Sequence, residues 1–132
     1  MEKLTAQLQE QLLVIAAQPP KEAVDFMIRS WEALAARLTP IIGDDGFQSL
    51  LERSLHLTSK KFSWLVMDLG AWDHSKRFSA LKTNLNCRTP SEAAAAGLAL
   101  LTTFVETLVM LLGVPLASNV LRSAWGDHIA QR

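Results

Sequence analysis

The chain has 132 residues, the length of one domain, with thirteen basic and thirteen acidic side chains and a formal charge of zero. A balance of that kind gives no global field to draw nucleic acid or an anionic membrane, and 49% hydrophobic residues exclude a disordered chain. The one cysteine, Cys87, excludes an internal disulfide framework and suits a reducing cytoplasm.

Taken in chain order, glycine and proline fall between periodic segments, and strand-type alternation never persists, so the chain reads as all-α. The opening run has no basic region before its short apolar stretch, so no secretory signal is read there. A first helix is expected over about 2–17, with Leu4, Leu8, Leu12 and Ile15 on one stripe. Pro19-Pro20 ends it, so residues 1–18 form a possible N-terminal arm. In the next helix Val24, Met27, Ile28, Trp31, Leu34, Ala35 and Leu38 recur at threes and fours, opposite Glu22, Asp25, Arg29 and Glu32, the pattern of an amphipathic surface helix. "TPIIGDDG" is the expected break. Asp44 or Asp45 can then cap a helix that turns Phe47, Leu50, Leu51, Ser54 and Leu55 inward.

The middle is less regular. "KKFSWLVMDLGAW" is apolar nearly all round, and Trp64 and Trp72 mark it as a buried short helix or a contact surface. "DHSKRFSALKTNL" follows as a helix with Asp73 or Ser75 as cap, Phe78, Leu81 and Leu85 inward, and Lys76, Arg77 and Lys82 outward. "TPSE" is the clearest helix start, with Thr89 as N-cap, Pro90 in the first turn and Glu92 three after the cap. It opens a long central helix, about 90–112, which Gly113 and Pro115 close. A last helix is expected from Pro115 to Trp125, with Gly126 as its stop.

The long helix holds "LLTTFVETLVMLLG", with one carboxylate at its centre. At 100° per residue, Leu98, Leu101, Phe104, Val105, Leu108, Leu111 and Leu112 share one half. Glu92, Ala96, Ala99, Thr102, Thr103, Glu106, Thr107, Met110 and Gly113 share the other. As a membrane span this helix would place Glu106 near the bilayer centre, at a cost of about 2.5–3.5 kcal/mol, and Pro115 would end it early. No membrane span is expected. The small-and-polar half either faces water or serves as an interface, in which case Glu106 needs a partner such as Arg122 or a basic group of another chain.

Chemical motifs are scarce. His56, His74 and His128 lie far apart, and Glu52 with His56 reads as an exposed helix pair, so neither a metal site nor a cofactor is expected. There is no GxSxG, P-loop or GxGxxG, and no catalytic residue is assigned. The segment from Lys60 to Arg88 carries six basic residues against Asp68 and Asp73, interleaved with aromatics that could stack on bases. Its spacings are those a core needs anyway, and nucleic acid is not the expected partner. His56 in "RSLHLTSKKF", with Lys60 one turn on, resembles histidine phosphotransfer domains, which are helical bundles of similar size. The resemblance covers only these residues, and it would make His56 the phosphorylated group beside Lys60. Lys61 stands where that family has a small residue.

These patterns lead to a single all-α domain over 1–132, a compact bundle of five to seven helices around the long one. The expected function is a non-catalytic protein-interaction or regulatory module, cytoplasmic and self-associating as a homodimer. Thr102, Thr103, Glu106, Met110, Trp64 and Trp72 are its interface candidates. The alternative is a sensor for a small apolar ligand held among the tryptophans, phenylalanines and methionines.

Overall fold

The structure, a computed structural model, describes residues 20–65 and 76–130. The expected helix over 2–17, Trp72, His74 and the caps Asp73 and Ser75 lie outside the described residues. Within them the regular structure is helical throughout: α1 Pro20–Thr58, α2 Arg77–Asn86, α3 Pro90–Leu112 and α4 Val114–Ala130.

Helix α1 is two arms joined at Gly43, whose φ of 81° and ψ of 165° break the helical path. The expected break is there, but it is narrower than the sequence suggested. Pro40 stays inside the helix, and the second arm resumes straight after Gly43. On the first arm the apolar stripe from Val24 to Leu38 is buried, and Glu22, Asp25, Arg29 and Glu32 are exposed. On the second arm Phe47, Leu50, Leu51, Ser54 and Leu55 all turn inward as read. Ser54 Oγ donates back to the Leu50 carbonyl at 2.8 Å, which satisfies a hydroxyl in the core.

The two arms meet over one aromatic cluster. Phe104 of α3 lies 4.9 Å from Trp31 on the first arm and 5.2 Å from Phe47 on the second, centroid to centroid. Phe78 of α2 stacks on Trp31 at 6.3 Å and meets Phe47 edge-on at 6.0 Å. A straight helix would separate Trp31 and Phe47 by about 24 Å. The shared neighbours therefore require a sharp bend, and Gly43 supplies it.

Helix α3 starts as predicted. The Glu92 N–H donates to Thr89 Oγ1 at 3.2 Å, and Thr89 Oγ1 lies 3.1 Å from Glu92 Oε1. Its buried stripe is Ala93, Ala96, Leu100, Leu101, Phe104, Val105 and Leu108. Two residues depart from the burial expected: Ala96 is in the core and Leu111 is exposed. The cause is local. Ala96 is next to Gly97, which packs against Met27 of α1, and Leu111, about 20° around the helix from buried Phe104, is exposed at the end of α3.

Gly113 ends α3 with φ 85° and ψ 160°, nearly the backbone of Gly43. A Cβ would meet nothing closer than 4.0 Å at either glycine, so conformation and not space excludes other residues. Gly43→Ala and Gly113→Ala are each expected to lower stability by about 1–3 kcal/mol in urea denaturation; a change under about 0.3 kcal/mol at both would show that neither bend depends on positive φ. Helix α4 then runs through Gly126 to Ala130, past the stop expected at that glycine. It is held to the first arm by Trp125, whose Nε1–H donates to the Ser30 carbonyl at 3.1 Å.

Candidate functional site: an apolar end and a buried arginine

Two contacts fix how the long elements align. Gly97 of α3 packs on Met27, and further along both helices Phe104 packs on Trp31, so α3 runs in the same direction as the first arm. Trp125 of α4 reaches Ser30, while α4 begins where α3 ends, so α4 runs the opposite way. Leu111 lies as far beyond Gly97 as Ile41 lies beyond Met27. Val114 lies as far before Trp125 as Ile41 lies beyond Ser30. With a common rise per residue, these counts bring Ile41, Leu111 and Val114 to one level.

That level is where the exposed large apolar side chains are. Among the described residues they are Ile41 at 47%, Met110 at 87%, Leu111 at 61% and Leu116 at 40% exposure. All four belong to the end of the molecule where α1 bends at Gly43 and α3 turns into α4 at Gly113. Val109, Leu112 and Ile42 lie half-buried just beneath. Scattered exposed leucines are ordinary on a protein surface, whereas these four stand at one level of the helices.

Glu106 sits one turn before Met110 and is exposed. The carboxylate at the centre of the long helix therefore faces water. Arg122, considered as its partner, instead reaches Asn119 on its own helix at 3.4 Å. Thr102 and Thr103 are half-buried on the same side. Thr102 Oγ1 donates to the Leu98 carbonyl at 2.8 Å, and Thr107 Oγ1 donates to that of Thr103 at 2.9 Å, so two of these hydroxyls need nothing from a partner. Of the residues singled out on this helix, Met110 belongs to the patch itself, with Glu106 at its edge. Thr102 and Thr103 lie two turns back toward Thr89.

Trp64 is half-buried, with Phe62 edge-on at 6.3 Å and the Arg88 guanidinium 4.9 Å over its ring. The structure thus gives it partners within the chain. His56 and Lys60 are both exposed at the end of the second arm, and Ser59 Oγ donates to the His56 carbonyl at 2.8 Å. Glu52 is exposed one turn before His56. Among the described residues no three His, Cys, Asp or Glu side chains gather as metal ligands would.

Arg77 overturns an expectation. The helical pattern places it outward on α2, yet it is only 4% exposed. Its guanidinium lies 4.4 Å over the Phe47 ring and 5.2 Å from that of Phe78. Nη1 donates to Gln48 Oε1 at 3.4 Å, Asp44 stands 4.0 Å from Nη2, and Nε has no hydrogen-bond partner. Burial pushes the guanidinium pKa down, and the Asp44 carboxylate works in the opposite direction. Arginine suits this place because a delocalised, weakly hydrated cation stacks on aromatic faces as an ammonium cannot. Outward Lys82 behaves as expected and pairs with Asp25 at 2.6 Å, a hydrogen bond that holds the carboxyl pKa below its usual value. Beside that pair lies an open groove of about 390 Å³ lined by Asp25, Ile28, Arg29, Glu32, Phe78, Ser79 and Lys82. Four of its seven lining residues are charged, which is a poor match to a small apolar ligand.

Helix α3 from Ser91 to Leu112 is long and apolar enough to cross a membrane by length and composition, and 39% of its apolar window is buried within the chain. No family model, curated protein or solved structure matches this chain. Its chemistry has to be read from its own surface. Among the described residues, the exposed large apolar side chains of that surface stand near Gly43 and Gly113.

Proposed function

We propose that this chain is a non-catalytic protein-interaction module that self-associates through its apolar end. The observation behind this reading is the gathering of Ile41, Met110, Leu111 and Leu116, with Met110 87% exposed, on a surface whose other described large apolar side chains are at least partly covered. Burying such a patch against a second surface removes apolar area from water at about 25 cal/mol per Å². The reading includes a single bundle of five to seven helices, counting the expected helix over 2–17, with no membrane span. Residence in the cytoplasm fits the lone cysteine, which is exposed at the end of α2. A regulatory role would follow from whatever association controls.

Met110→Lys tests it, because a side chain so exposed can be changed without touching the core. Light scattering coupled to size exclusion is expected to give a native dimer at micromolar concentration. The variant should be a monomer, with its dissociation constant raised at least tenfold and its helicity unchanged. A native chain that stays monomeric at every concentration would sink the proposal.

A further inference from the structure

Met110 is 87% exposed at the level where Ile41, Leu111 and Leu116 stand. Met27, the other methionine among the described residues, has no exposed surface, and its sulfur lies against Gly97 in the core. A thioether is an apolar group that a peroxide turns into a polar one. We propose that Met110 is a modification site: a hydroperoxide oxidises it to the sulfoxide, and the chain loses its self-association while keeping its fold. The switch rests on the self-association reading of this surface and supplies its regulator.

In the step itself the thioether sulfur attacks the distal oxygen of the hydroperoxide. An S–O bond forms as the O–O bond breaks, and the sulfur is oxidised by two electrons. The leaving oxygen takes the proton of the distal one and departs as an alcohol, or as water from hydrogen peroxide. Attack needs an open sulfur, which Met110 offers and Met27 does not. Oxidation of Met27 would be damage, because it would bury a polar oxygen in the core. At Met110 the added oxygen faces water and no core contact is lost. What changes is the surface, where an apolar tip becomes a strong acceptor that a second surface would have to strip of water. Cys87 is the other exposed sulfur among the described residues, and a peroxide reaches it too. It ends α2, whose Lys82 pairs with Asp25 near the start of α1, so it stands away from the apolar level. Sulfoxide reductases return methionine sulfoxide to the thioether, so the loss of association is reversible.

Partial oxidation of the full chain tests this without any substitution. The native protein is treated with hydrogen peroxide, quenched with catalase, and reduced with dithiothreitol to return Cys87 to the thiol. Size exclusion separates dimer from monomer, and peptide mass spectrometry reads the sulfoxide in each. Met110 sulfoxide should be enriched at least about tenfold in the monomer, with circular dichroism unchanged and Met27 left unoxidised. Methionine sulfoxide reductase should then restore the dimer. If Met110 sulfoxide is spread equally over both fractions, the switch falls and self-association stands. Dissociation that follows oxidation at another sulfur, or a loss of helicity on oxidation of Met110, overturns it as well. So does a chain that stays monomeric after the reductase has returned Met110 to the thioether. A native chain that is monomeric before any peroxide is added overturns both readings.

Discussion

Trp31→Ala lowers the unfolding free energy by about 3–5 kcal/mol, the largest loss expected from any single truncation in this chain. Trp31 has no exposed surface and touches Phe104 and Phe78, so its removal opens a cavity where three helices meet. One detail makes a sharper comparison possible. The indole N–H of Trp31 is buried without a hydrogen-bond partner, whereas that of Trp125 donates to the Ser30 carbonyl. Both substitutions by phenylalanine remove a similar volume. Trp31→Phe also removes an unsatisfied donor, and Trp125→Phe loses a hydrogen bond with a net worth of about 1 kcal/mol. Trp125→Phe is therefore the more damaging of the two. Urea denaturation of the pair decides the matter, and the reverse order would show that the Trp31 N–H has found a partner.

Gly97→Ala destabilises by about 1–3 kcal/mol through overpacking. A Cβ built on Gly97 would lie 2.0 Å from Met27 Sδ and 2.4 Å from its Cε. The overlap is with the flexible tip of a fully buried Met27, which must repack within the core. The roughly 1 kcal/mol that Ala gains over Gly in a helix offsets part of that cost, so the loss falls at the low end of the range. Met27→Ala alone costs about 2–5 kcal/mol by leaving a cavity. Because the two defects are complementary, the double variant should lose less than the sum of the single losses. A double-mutant cycle with a favourable coupling of about 1 kcal/mol or more is the expected result. Strict additivity would mean that the two helices separate at Gly97 and do not hold their distance.

Much of the fold was legible because burial here follows periodicity. The stripes on both arms of α1, the cap at Thr89 and the close of α3 at Gly113 all stand where residue spacing puts them. Three things were not legible, each for a physical reason. Arg77 looks like a surface cation in one dimension, and only the meeting of Phe47 with Phe78 turns its place into an aromatic slot. Ala96 is buried beside Gly97, which packs on another helix, and Leu111 keeps the face of Phe104 but stands at the helix end; neither setting is visible in the pattern of one helix. Gly126 does not end α4; a helix that tertiary contacts such as Trp125 to Ser30 hold in place can run on through a glycine, which costs only about 1 kcal/mol. The patch was half legible. Met110 could be singled out from the helix it sits on, but its neighbours Ile41 and Leu116 come from other helices, and only the shared level of Gly43 and Gly113 joins them.

The likeness of those two glycines has an electrical consequence. At each of them one helix stops and the next starts within a residue or two, so a carbonyl-rich terminus, with roughly half a negative charge, lies against an amide-rich terminus of opposite sign. At Gly113 the incoming start is also partly depleted of donors, because Pro115 has no N–H to offer. The side chains there add to the negative side: Asp44 and Asp45 are exposed beside Gly43, and Glu106 is exposed one turn before Met110. Two copies meeting through this end bring like charges together, so their association should strengthen as salt screens the repulsion.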